Sequence, residues 1–131
     1  MKRLTEKQAT RAALWLHDAL GLQDWDIQLT LTDDQPDWAD HPTEGILRGC
    51  TEIAIQDKYA VIWVHPNPPV DPHVINRDAI HTLCHEYLHI LAVDADWHDI
   101  METTTRSMEQ AVNRLATVFA AAYQARVKVP K

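Results

Sequence analysis

The stretch from Arg77 to about Val93, RDAIHTLCHEYLHILAV, constrains the chain more than any other. It contains neither proline nor glycine, and its apolar residues recur at helical intervals, so it reads as a helix with a face that must be buried. With His85 as the zero of a helical wheel, His81 and His89 fall within roughly 40 degrees of it, while Ile80, Leu83, Cys84, Tyr87 and Leu91 gather opposite. One face carries imidazoles and the other belongs to a core. Residues four apart on a helix stand about one turn above each other, so His85 and His89 reach one small cation without bending the backbone.

His85-Glu86-Tyr87-Leu88-His89 is an H-E-x-x-H arrangement. The chain holds 8 histidines in 131 residues, and this spacing arises by accident in roughly 3 percent of such compositions, so a third ligand is the discriminating feature. Catalytic zinc usually takes three protein ligands and leaves the fourth position to water, and His, His and Glu is one recurring set. A second long helix, expected from about Glu102 to Ala125, has an apolar stripe at Met108, Val112, Leu115, Phe119 and Ala122 or Tyr123. Beside it run Glu109, Asn113, Ala116 and Ala120, and the two alanines allow a close helix approach that carries Glu109 toward the histidines. Asp94 and His98, between the helices, are the competing third ligands.

HEYLH followed by Glu109 in the pattern Glu-x-x-x-Asn resembles the gluzincin metallopeptidases, the thermolysin-like branch of the zincins. The motif match covers about residues 85 to 113, and the order of elements is most similar to minimal gluzincins and small phage or prophage zincins. The resemblance implies that His85, His89 and Glu109 bind Zn2+ and that Glu86 is the general base of peptide hydrolysis by a metal-activated water. In that family the position four after the third ligand is usually an Asp that holds the first His, and this chain has Asn113 there. A neutral acceptor at Asn113 donates less electron density to the imidazole; the alternative is a simple helix-to-helix hydrogen bond. No motif supplies the group that stabilises the oxyanion, for which His98, Tyr123 and His65 are the candidates.

Ahead of this pair, Thr5 and Gln8 make a capping-box pair, and Ala9, Ala12, Leu16 and Leu20 continue at helical spacing until Gly21, so a first helix spans about Thr5 to Leu20. Trp25, Ile27, Leu29 and Leu31 alternate with polar residues as a strand with one wet face. Asp33 to Glu44 reads as an acidic loop, whose Trp38 and His41 are left open between a surface and a functional role. Ile46 to Gln56, with Gly49 as a possible bulge, and Tyr59 to His65 read as a hairpin tightly joined through Asp57 and Lys58. The simplest sheet places Tyr59 to His65 in the middle and Ile46 to Gln56 at an edge. Prolines at 66, 68, 69 and 72 end the sheet, and Asp71-Pro72 offers a start for the motif helix. His17 reads as facing solvent or a neighbour, and His65 and His73, off the motif's spacing, read as structural rather than ligating. The expected architecture is a single α+β zincin-like domain over 1–131: an N-terminal helix, a small three-stranded mixed sheet, the HExxH helix and a following glutamate helix.

Cys50 and Cys84 allow at most one disulfide, and Cys84 on the core side of its helix favours a buried reduced thiol. Early charges at Glu6, Lys7 and Arg11 interrupt any secretory leader, and no stretch reaches the eighteen or so apolar residues that span a bilayer, which gives a cytoplasmic, membrane-free expectation. A net charge of -7 disfavours nucleic acid. The expected partner is a peptide or protein substrate laid along the edge strand 46–56. Two other readings stand beside the zinc endopeptidase: a zincin-fold metal-binding regulator resembling the ImmA-type peptidases, acting on one partner without general proteolysis, and a chance motif in a helical interaction protein.

Overall fold

A computed structural model describes residues 3–39, 48–67, 78–95 and 105–127, with 105–108 described for backbone alone. Helix α1 (Glu6–Ala19) is followed by strand β1 (Asp26–Leu31), a short 3-10 turn (Asp37–Ala39), strands β2 (Gly49–Ala54) and β3 (Tyr59–Val64), and helices α2 (Ala79–Asp94) and α3 (Thr105–Val127). The result is a mixed α+β structure with three helices and one three-stranded sheet among the described residues.

Helix α1 has a complete capping box: the Thr5 hydroxyl accepts from the Gln8 amide, and the Gln8 side chain accepts from the Thr5 amide. At its other end Gly21 takes a φ of 67°, which lets the Leu22 amide donate to the His17 carbonyl and the Gly21 amide to the Asp18 carbonyl. Leu22 is thereby tucked into the core, as are Ala9, Ala12 and Leu16.

The sheet order is β1-β3-β2, with β3 in the middle as the simplest arrangement predicts. β1 pairs parallel to β3, from Asp26↔Tyr59 to Leu31↔Val64, and β2 pairs antiparallel, from Gly49↔Val64 to Ala54↔Tyr59. Ala60, Ile62 and Val64 of the middle strand have no exposed surface and face the helices. Two expectations about the hairpin change. Its turn takes four residues, Ile55 to Lys58, with Lys58 at a φ of 48°, rather than the two residues Asp57 and Lys58. Gly49 is no bulge: it stays in register opposite Val64, and its missing side chain serves close packing, because a Cβ there would lie 2.6 Å from Thr82 Cγ2 and 3.0 Å from the Trp63 carbonyl oxygen. Residues 46 and 47 of the expected strand lie outside the described residues.

Helix α2 begins one residue past Asp78, whose extended backbone and carboxylate cap it by accepting the His81 amide at 2.9 Å. Asp78, not Asp71, is therefore the cap; Asp71 and Pro72 lie outside the described residues. The two-faced wheel is also too simple, since Leu88, Ile90 and Ala92 are as fully buried as Leu83. The sheet, α1 and α3 all pack on α2, so it carries core on nearly every side. At its far end the Trp25 indole N–H donates to Asp94 at 3.0 Å, tying α2 to the start of β1.

On α3 the close-packed residues are Val112, Ala116, Ala120 and Tyr123, with Leu115 and Phe119 partly buried and Ala122 exposed. Trp15 of α1 sits against Phe119 and Tyr123, with ring centroids 6.2 and 5.4 Å apart. Cys50 and Cys84 are both free and buried, and burial pushes their thiols up to about 11 and about 12. None of the described helices is long and apolar enough to cross a membrane.

Candidate metal centre

The small residues Ala116 and Ala120 let α3 lie close along α2. That contact sets a one-turn pair on each helix face to face: His85 and His89 on α2, Glu109 and Asn113 on α3. His89 Nε2 lies 2.9 Å from Glu109 Oε1, His85 Nε2 lies 3.2 Å from Glu109 Oε2, and the two Nε2 atoms are 3.0 Å apart. All three side chains are half-buried. Zinc bonds of about 2.0 to 2.1 Å at tetrahedral angles would separate donor atoms by about 3.3 Å, so the spacings lie within about half an ångström of what such an ion requires.

The donor set also asks for a positive centre. Asn113 Oδ1 lies 2.8 Å from His85 Nδ1; an amide oxygen accepts, so Nδ1 carries the proton and the Nε2 lone pair of neutral His85 points at the cluster. A second imidazole and a carboxylate then crowd that lone pair, an arrangement that repels unless a proton or a cation sits among them. Burial works against a charge on His85, but the bonds from Glu109 and the nearby carboxylates outweigh it and raise its pKa. The same two imidazoles hold the Glu109 carboxyl far below the usual carboxylate range. His85, His89 and Glu109 could thus hold a metal ion, and the geometry suits a divalent one without specifying which.

Glu86 departs from its neighbours in being buried, at 7% exposure. Burial pushes its carboxyl above the usual range, opposed chiefly by His85 and by the Thr51 hydroxyl, which donates to Oε1 at 2.6 Å. Its charge is felt by His85, His89 and Glu109, so it borders the cluster while leaning on β2.

Other residues singled out by the sequence lie elsewhere. Asp94 is engaged with Trp25 and is no part of the triad. His81 shares the wheel face of His85, yet its Nε2 meets Thr117 Oγ1 at 3.2 Å. Tyr123 is about 21 Å along α3 from Glu109 at the helical rise and packs on Trp15, so it is not beside the cluster. His65 accepts the Asn67 amide through Nδ1, lies edge-on near Trp63 and is no part of the triad. His98, His41 and His73 lie outside the described residues. Thr51 went unnoticed in the sequence: a threonine in a strand is unremarkable until the helix opposite it is known. Comparisons with protein-family models, curated proteins and solved structures found no match to this chain.

Proposed function

We propose that this chain is a zincin-like, zinc-dependent endopeptidase with His85, His89 and Glu109 as metal ligands and Glu86 as general base. The observation that carries the reading is the convergence of the three donor atoms within 4.8 Å of one another from two packed helices, next to a carboxylate on the same turn as the first histidine. When bound, zinc supplies a Lewis acid that lowers the pKa of a water toward about 7. His85 and His89 contribute neutral Nε2 atoms, and Asn113 keeps His85 in that tautomer. Glu86 takes the proton of the attacking water and passes it to the leaving amine. A peptide pairs with the edge strand β2 as an added strand, which favours unfolded or loop segments as substrates.

Mass spectrometry of a proteome digested with the wild type and with Glu86→Gln tests this directly. New cleavages with the wild type alone support hydrolysis; identical patterns rule it out. A second reading, a metal-binding regulator of the same fold that acts on one specific partner, draws support from the absence of Tyr123 and His65 from the cluster, which leaves the oxyanion without a donor among the described residues that the sequence pointed to. Zinc retention with identical digests favours that reading.

A further inference from the structure

Strand β2 does more than offer an edge. Its residues alternate, and Gly49 and Thr51 both face α2. The Thr51 hydroxyl lies 2.6 Å from Glu86 Oε1 and 3.4 Å from the Glu86 carbonyl oxygen. The shorter of the two distances is a close hydrogen bond from the hydroxyl to the carboxylate. Gly49 supplies the space, since a Cβ there would stand 3.3 Å from Glu86 Oε2. The carboxylate therefore sits in a cradle made by an empty side-chain position and one hydroxyl, two residues apart on a single strand. A glutamate has three side-chain torsions, and burial alone does not choose which way its carboxylate turns; a short O–H donor does.

We infer that Thr51 is the positioning residue for Glu86: it aims the base from the edge strand, so that the strand available to extend a peptide is also the strand that sets the proton-accepting oxygen. This rests on the hydrolase reading above. It has a consequence for order of events: a peptide that pairs with β2 stiffens the strand that holds Glu86, so docking and orientation of the base are linked through Thr51.

The test uses four variants, Thr51→Val, Thr51→Ser, Glu86→Ala and the Thr51→Val/Glu86→Ala double, with a quenched-fluorescence peptide library as substrate for the Thr51 single variants. Valine keeps the shape and removes the donor; serine restores the donor. Thr51→Val should retain full zinc content and lose roughly 10- to 100-fold in kcat with KM within about twofold of wild type, and Thr51→Ser should recover most of the loss. Melting of the metal-free proteins gives a readout independent of turnover: Thr51→Val should lower the melting temperature by about 4 °C or more in the wild-type background and leave the Glu86→Ala background almost unchanged. Unchanged kcat in Thr51→Val beside an active wild type overturns the assignment alone, as does equal impairment by Val and Ser or an equal melting shift in both backgrounds. A wild type that carries zinc and cleaves no peptide overturns the hydrolase reading and this assignment with it.

Discussion

Replacing Gly49 with alanine probes the contact on which the site's geometry depends. The added methyl would stand 2.6 Å from Thr82 Cγ2, 3.0 Å from the Trp63 carbonyl oxygen and 3.3 Å from Glu86 Oε2. Carbon atoms in contact normally lie about 3.5 to 4.0 Å apart, so the first overlap is about 1 Å. Thr82 is buried on α2 with its hydroxyl turned to the Asp78 carbonyl, and the Trp63 oxygen belongs to the middle strand's backbone. Neither yields freely, so β2 must shift outward. Overpacking of this kind costs about 1 to 3 kcal/mol, which for a chain of this length is a fall of roughly 3 to 12 °C in melting temperature. Removing the nearest obstacle with Thr82→Ser should recover part of the loss in Gly49→Ala, leaving the share due to the carbonyl. Gly21→Ala is the control: it is strained by its φ of 67° but meets nothing within 4 Å, so it should cost about 1 kcal/mol and add independently to Thr82→Ser. Circular-dichroism melts of six proteins suffice: the wild type, Gly49→Ala, Thr82→Ser, Gly21→Ala and the two doubles with Thr82→Ser. A Gly49→Ala protein that melts with the wild type, or one whose loss Thr82→Ser does not reduce, would refute the close-approach argument.

Three other outcomes follow from the same geometry. Asn113→Ala should weaken zinc binding by about 10- to 100-fold, while Asn113→Asp should tighten it, read by competition with a chromophoric chelator. Trp25→Phe deletes the bond to Asp94 and should destabilise by about 1.5 kcal/mol in denaturant melts, with Asp94→Ala no worse in a Trp25→Phe background. Burial raises the Cys50 thiol to about 11, so native protein keeps the proton that unfolded protein loses near 8.5; folding is then favoured below that point and stability from this group declines as pH climbs toward 11. At pH 8 only about one Cys50 in a thousand is thiolate, and alkylation should run at least 100-fold slower in native than in unfolded protein.

Much of the frame is legible in local pattern. The Thr5 and Gln8 capping box, the left-handed Gly21 and the alternation from Trp25 to Leu31 are each decided by neighbours within a few residues, and the structure matches them. The pairing of β2 with β3 followed from the short connection between them, and the central place of β3 from the simplest sheet that three such strands make. The nearness of Glu109 to the histidines was legible because Ala116 and Ala120 mark where a helix can approach. What local pattern did not disclose depends on contacts between distant segments. Gly49 reads as a bulge until Thr82 is known to lie opposite, and Asp94 as a ligand until Trp25 reaches it. Tyr123 has suitable chemistry and the wrong turn of α3. Asp71 before Pro72 reads as the cap by sequence, whereas the observed helix is capped by Asp78, a residue that the periodic pattern places inside the helix.

Every role given to these residues depends on a single cation shared by two imidazoles and a carboxylate from different helices. Mass-spectrometric metal analysis of purified wild type, His85→Ala and Glu109→Ala, each stripped with chelator and reloaded with one equivalent of zinc, addresses it most directly. About one zinc per chain in the wild type, and little in either variant, is the expected result; a wild type that retains none, or a Glu109→Ala protein that holds zinc as tightly, would contradict it.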